Sequence, residues 1–163
     1  MLSLCRGADK GIRQFTAEHL PGDQSNQIVL KLGPSLPWVE VDPDMVQRAV
    51  REFLANAVHA RSRQSIQVVI LQASDDQAVW IQVIDDGEGM DQHTLDHAAD
   101  PLFIAHPAGR GAGLGLTRPR QFAAAHGGEL QLRSIPGQGT TATLVLPLQS
   151  RISTENAEPF QTA

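Results

Sequence analysis

The sequence holds a single cysteine, Cys5, so an internal disulfide is excluded and a reducing compartment, the cytoplasm, is the natural setting. No window approaches the roughly eighteen uninterrupted apolar residues of a membrane-spanning helix, so no membrane contact is expected. The opening MLSLCRGADK is apolar too briefly for a signal sequence and soon turns charged. Basic residues are few, 13 Lys and Arg against 18 Asp and Glu, and the arginines are scattered. With a formal charge of -5, that argues against a nucleic-acid surface, which needs clustered cations. No internal repeat is visible. What remains is a globular composition, 41% hydrophobic and 19% charged, in 163 residues, enough for one domain with a real core.

The chain is organised around Trp80 to Met90, WIQVIDDGEGM. Val79, Ile81, Val83 and Ile84 read as a half-buried strand, which Asp86, Gly87 and Gly89 then break. Asp85 is thereby expected at a strand end facing an open loop, where its carboxylate can accept from a ligand amine. Glycines at 87 and 89 would let the backbone approach a flat ring. Taken alone, the stretch reads equally as a turn after a strand.

Earlier in the chain, residues 1–25 are ambiguous: Leu2, Leu4, Ile12 and Phe15 read as one face of a helix ending or as a strand, interrupted by Gly7 and Gly11, and this start looks like a cut into a longer sequence. Ile28, Leu30 and Leu32 predict a strand ended by Gly33-Pro34, and Trp38 to Val41 a shorter one. Asp42 then caps a helix with Pro43 in its first turn, and Val46, Ala49, Val50, Phe53, Leu54, Ala57 and Val58 form its apolar stripe. Arg48, Glu52, Asn56 and His59 line an adjoining face, which serves as a solvated polar face unless something else comes near it. Residues 65–73 and 78–84 predict two strands joined as a hairpin through Ser74 to Gln77, followed by a short helix capped by Asp91.

Residues 98–112, with Pro101, Pro107, Gly109 and Gly111, read as a long loop, the kind that serves as a lid. It ends in GAGLGL, Gly111 to Leu116, ahead of a helix from Thr117 to His126. A glycine-rich loop entering a helix offers free N–H groups and a positive dipole to phosphate, and it serves equally as a flexible linker. Leu130 and Leu132, then Thr141 to Leu146, give two last strands joined by PGQG, and residues 149–163 read as a frayed tail.

Together the pieces resemble the ATP-binding catalytic domain of sensor histidine kinases, within the Bergerat-fold ATPases. EFLANAVHA (Glu52 to Ala60) resembles the N box, DDGEGM (Asp85 to Met90) and GAGLGL (Gly111 to Leu116) the two glycine boxes, and Pro101-Leu102-Phe103 the core of the F box. HGGELQLRSIPGQGTTATLVLP (His126 to Pro147) resembles the closing strands. The resemblance implies an α/β two-layer sandwich, a mixed and mainly antiparallel sheet with helices on one face. It assigns residues 28–148 to the catalytic domain and residues 1–27 to the end of a linker from a missing dimerisation and phosphotransfer domain.

The resemblance also implies roles. Asn56 would coordinate Mg²⁺ at the phosphates of ATP, and Glu52 would act as a catalytic carboxylate. Asp85 would accept the adenine amine in a pocket shaped by Gly87, Gly89 and Met90, with Thr140 supporting it through water. Gly111, Gly113, Leu114 and Gly115 would wrap the phosphates under a lid of residues 98–110. The γ-phosphoryl group would pass to a histidine on a separate dimerisation domain, and then to a response regulator, in a parent protein that can be membrane-anchored.

The sequence departs from the family in two places. Ile104-Ala105-His106 replaces the common Thr-Thr-Lys after the F-box Phe, leaving His106 or Arg110 to supply a lid cation. His59 stands where many kinases have Lys, with Arg61 or Arg63 as substitutes. None of the six histidines sits in a capped helical hairpin, so the phospho-acceptor is expected on another segment or chain. Rival readings are a serine kinase of the anti-sigma type, a degenerate nucleotide-binding or docking module, and an ATPase driving dimer closure, which the missing transducer domain counts against.

Overall fold

The computed structural model describes residues 8–14, 18, 28–37, 39, 41–60, 66–73, 77–103 and 115–148. Its strands are β1 (Ile28–Leu32), β2 (Ile66–Gln72), β3 (Ala78–Asp85), β4 (Glu129–Ile135) and β5 (Gly139–Pro147). Its helices are α1 (Pro43–His59), α2 (Gln92–His97) and α3 (Thr117–Ala125), and residues 8–14 are also helical.

The strands form one sheet in the order β1-β2-β3-β5-β4. Only β1 and β2 run parallel, and α1 lies in the long connection that a parallel pair requires. The other pairings are antiparallel, so the sheet is mixed and mainly antiparallel. Ala73 N–H donates to the Ala78 carbonyl at 2.8 Å, closing the β2–β3 hairpin, whose residues 74–76 lie outside those described.

Strand alternation decides the two faces. Ile66, Val68 and Ile70, then Val79, Ile81 and Val83, then Ala142, Leu144 and Leu146 are buried against the helices. On the other face Gln67, Val69, Trp80, Gln82, Ile84 and Val145 are half-buried, with no helix over them among the described residues.

Helix α1 starts where the sequence predicts: the Asp42 side chain accepts from Asp44 N–H at 2.8 Å and Pro43 occupies the first turn. Val46, Val50, Phe53 and Leu54 are almost fully buried, each contributing about 1.5–3 kcal/mol by leaving water. Val58 departs from the expected stripe and is 36% exposed, because the helix winding carries it to the flank of the apolar face. The short strand expected at Trp38 to Val41 is also absent from its described residues. Val39 and Val41 are buried in the core without joining the ladder.

Helix α3 tolerates Pro119 because the missing N–H falls in the first turn. It ends at Gly127, φ +70°, with Gly128 N–H donating back to the Ala123 carbonyl at 2.8 Å.

Candidate functional site

Asp85 closes β3 and stands opposite Thr140 in the register with β5. Its Oδ1 accepts two backbone donors, Gly87 N–H at 2.9 Å and Thr140 N–H at 3.3 Å. Among the described residues Oδ2 accepts nothing, which leaves it available to a ligand donor. Burial pushes the Asp85 carboxyl above the usual carboxylate range; the Gly87 and Thr140 donors work against this, and the neighbouring Asp86 charge adds to it.

The loop after Asp85 is wedged between two other elements. Glu88 N–H donates to the Ala60 carbonyl at the end of α1 at 2.8 Å, and Gly137 N–H in the β4–β5 turn donates to the Glu88 carbonyl at 2.7 Å. A Cβ at Gly87 would lie 2.4 Å from the Ala60 carbonyl oxygen. Gly89, at φ +67°, would put a Cβ 2.1 Å from the Ile135 carbonyl oxygen. Close approach to a ligand ring was the reason expected for these glycines; the structure adds a packing reason, since each lets protein backbone meet protein backbone.

Beside Asp85 lies a cavity of about 100 Å³ lined by Phe53, Asn56, Ala60, Val83, Asp85, Gly89, Met90, Leu116, Leu132, Thr140 and Ala142. Its walls are apolar apart from Asn56, Asp85 and Thr140, and small-molecule pockets typically have about 300–1,000 Å³. It therefore takes the flat end of a ligand rather than the whole.

A larger cleft, about 830 Å³, runs between α1 and α3 past Arg48, Glu52, Arg118 and Phe122. It touches neither Asp85 nor Thr140, and two of its ionic groups, Glu52 and Arg118, face each other at 3.7 Å. The half-buried carboxylate with a free acceptor makes the smaller cavity the better candidate for recognition.

The Glu52/Asn56 face of α1 meets the start of α3. A Cβ on Gly115 would lie 3.4 Å from both Asn56 Oδ1 and Glu52 Oε2, so the last glycine of GAGLGL abuts both side chains. Asn56 also lines the Asp85 cavity, joining the two halves of the site. Gly111, Gly113 and Leu114 lie outside the described residues, as do Ile104, Ala105, His106 and Arg110 of the expected lid and residues 149–163 of the expected tail.

No group of three His, Cys, Asp or Glu side chains among the described residues could hold a metal by itself. Mg²⁺ takes few protein ligands and completes its shell with phosphates and water, so the amide oxygen of Asn56, beside Gly115, fits that ion.

Ahead of the segment expected as a lid, His93 and His97 pack edge-on at 5.1 Å, with Phe103 5.6 Å from His97. His97 contacts Asp100 at 2.9 Å, and Asp100 reaches Arg120 at 3.5 Å. Leu102 adopts φ +66° and is 73% exposed.

Two residues of the site carry no mark in the sequence. Arg118 sits in the first turn of α3 against Glu52, one position in a run that names no cation. Ser134 on β4 accepts from Met90 N–H at 2.8 Å and lies 2.9 Å from Thr140 Oγ1, a role no local spacing foretells.

Residues 41–150 match the profile of the family described as histidine kinase-, DNA gyrase B-, and HSP90-like ATPases. The sensor histidine kinase ZraS of Salmonella typhi is 32% identical over 130 residues, covering 78% of this chain and 28% of the relative. The signal transduction histidine-protein kinase AtoS of Escherichia coli is 33% identical over 121 residues, 74% of this chain and 19% of the relative. The alginate biosynthesis sensor protein KinB of Pseudomonas aeruginosa is 31% identical over 139 residues, 84% and 23%. The chain thus spans about a quarter of the length of the curated relatives it matches. The solved mycobacterial sensor histidine kinase MprB superposes with a TM-score of 0.70 at 22% identity, covering 88% of this chain and 94% of that one, which establishes the shared fold. The five-stranded mixed sheet with helices on one face, the Asp85 strand end and the Asn56 helix are thus features of a chain that belongs to the histidine kinase-, DNA gyrase B- and HSP90-like ATPase family, as an ATP-binding domain of the sensor histidine kinase kind.

Proposed function

We propose that this chain binds Mg-ATP with its adenine at Asp85 and its phosphates along Asn56 and Gly115, and donates the γ-phosphoryl group to a histidine. The observation that carries the reading is the half-used Asp85 carboxylate. Oδ1 is held by two backbone N–H groups, Oδ2 accepts nothing among the described residues, and Asp85 lines a narrow apolar cavity, which makes it an acceptor for the exocyclic amine of a flat base.

Asn56 would hold the magnesium ion, which would supply charge neutralisation at the phosphates. The chain's own contribution is mainly positioning, as phosphoryl transfer demands. Asp85, Gly89, Met90 and Thr140 orient the base, and Leu116 and Leu132 exclude water from its ring. Gly87 keeps the loop seated against α1. Gly111, Gly113 and Leu114, with Gly115, would turn backbone N–H groups to the phosphates. Glu52 is the acid–base candidate: freed from Arg118, its carboxylate can take the proton that an acceptor imidazole loses as it attacks.

The acceptor histidine belongs to a dimerisation domain, in the parent chain or in trans, and the phosphoryl group then passes to a response regulator. The reaction takes place in the cytoplasm, and no helix among the described residues is long and apolar enough to cross a membrane.

Calorimetric titration with a non-hydrolysable ATP analogue, with and without Mg²⁺, tests this reading. Mg²⁺-dependent binding supports it, and no binding at millimolar nucleotide overturns it in favour of a docking module without chemistry.

A further inference from the structure

We propose that His93 and His97, on one face of α2, form a binding site for a late first-row divalent cation of the Zn²⁺ kind. The site lies apart from the Asp85 cavity and needs no nucleotide, so it stands or falls independently of the reading above.

The two histidines are four residues apart on α2, which brings both side chains to the same face of the helix. Their ring centres lie 5.1 Å apart. An imidazole nitrogen holds Zn²⁺ at about 2.0–2.1 Å, putting the ion about 3.2 Å from the ring centre, and two rings meeting it at the tetrahedral angle stand about 5.2 Å apart. The helix thus already sets the spacing that a shared ion needs. The rings now meet at 71°. Aiming one nitrogen of each at the ion takes a turn about the Cβ–Cγ bond, a soft torsion that leaves the ring centre nearly in place, and both side chains are exposed and free to turn.

Ring packing alone would give the same spacing, but the surroundings of His97 carry a second sign. Its Nδ1 lies 2.9 Å from Asp100 Oδ2. A carboxylate can only accept, so the neutral ring holds its proton on Nδ1 and keeps the Nε2 lone pair for a ligand. Metal-ligating histidines have this arrangement, donating the other ring N–H to a carboxylate that fixes tautomer and orientation. Asp100 is itself held, with Oδ1 3.5 Å from the Arg120 guanidinium of α3. Among the described residues no hydrogen bond occupies Nε2 of His97 or either ring nitrogen of His93.

The donor set selects the ion. Two neutral imidazoles suit Zn²⁺ and its neighbours and give little to Mg²⁺, which prefers oxygen. No third protein donor stands with the pair among the described residues, so water completes the shell and the affinity is below that of a four-ligand structural zinc centre. A bound ion would link α2, through His97, Asp100 and Arg120, to α3. Asp100 is therefore a positioning residue, and the two histidines are the ligands.

The test is calorimetric titration of the full chain with ZnCl₂, without nucleotide, on the wild type, His93→Ala, His97→Ala, their double variant and Asp100→Asn. The wild type should bind one Zn²⁺ at this site with a Kd below about 0.1 mM, and millimolar Mg²⁺ should not compete. Each histidine variant should weaken that binding by about tenfold or more, and the double variant little further, because one chelate is broken either way. Asp100→Asn should weaken it by about tenfold while the melting temperature without metal stays within a few degrees, which a purely structural role would not do. If alanine unsettles the short helix, His93→Gln and His97→Gln read the same loss. Weaker binding by the wild type overturns the proposal. So does Zn²⁺ binding that survives in the double variant, which would put the ion on other groups and leave the pair as ring packing. An unchanged Asp100→Asn affinity overturns the positioning role. With no nucleotide in the cell, none of these results bears on the Asp85 reading, whose own titration is separate.

Discussion

The two ends of the site are built in opposite ways. At the Asp85 end, a strand terminus, the β4–β5 turn and the end of α1 are locked by backbone hydrogen bonds, and glycines allow contacts that a Cβ would forbid. At the Asn56 end, exposed side chains meet the beginning of α3: Asn56 is exposed, and the Arg118 side chain, paired with Glu52, is 67% exposed. The difference teaches how the work is divided. In the proposed reading, recognition of a flat base needs donors and acceptors fixed before the ligand arrives, whereas the phosphate end can rely on charges that the nucleotide and its metal would bring along.

The strongest way to break the contrast is steric. Gly89→Ala should destabilise the fold by about 3 kcal/mol or more, combining left-handed strain with a clash against the Ile135 carbonyl. Gly115→Ala, whose Cβ would sit 3.4 Å from its nearest neighbours, should change stability by less than about 1 kcal/mol. Urea unfolding of both variants checks the pair, and equal losses would erase the distinction between a locked and an open end.

Asp85→Asn comes next. It should weaken adenine nucleotide binding by about tenfold to a hundredfold, since a charge-assisted acceptor is lost, while the thermal midpoint without ligand stays within a few degrees. Unchanged affinity in a folded Asp85→Asn protein would count against the cavity as the base site. Asn56→Ala should remove most of the Mg²⁺ dependence of ADP binding, a change of about tenfold, yet leave metal-free binding nearly intact; titrations with and without EDTA read the difference.

A pH series sharpens the comparison further. Because the Asp85 pKa is raised, the folded ligand-free state holds a proton more tightly than the unfolded chain. This group's contribution to stability therefore grows as pH falls through its folded pKa and is lost as pH rises. Binding of an amine donor runs the other way, needing the carboxylate and weakening as pH falls through the same window. The crossing of these trends, measured by melting and by titration, should disappear in Asp85→Asn. The smallest effect is expected for Arg118→Gln, which frees Glu52 from a mostly exposed pair. Stability should shift by less than about 1 kcal/mol, and any gain or loss in phosphoryl transfer should depend on salt.

Much of this was legible because the signals are local. Asp42-Pro43 with the stripe from Val46 to Ala57 defined α1, and the break at Asp85 marked the strand end where the structure has it. The Arg48, Glu52, Asn56 and His59 face was not decidable from the helix alone. A polar stripe on an isolated helix looks the same whether it meets water or the start of α3. Val58 and the segment before α1 were misread for a related reason: periodicity reports apolar spacing and says nothing of whether a partner lies opposite.

The sequence by itself determined most of the elements, the buried stripe of α1 apart from Val58, the glycine breaks and the acid at a strand end, because each follows from the conformational preferences of neighbouring residues. Only the tertiary structure decided that β5 rather than β4 lies against β3. Either strand of that hairpin could have taken the place, and the choice sets Thr140 opposite Asp85 with Ser134 behind it. It also brought Gly115 to Asn56 and Arg118 to Glu52. Such contacts join residues far apart in the chain, and their free energy comes from packing a whole sheet against its helices, which no short stretch of sequence encodes.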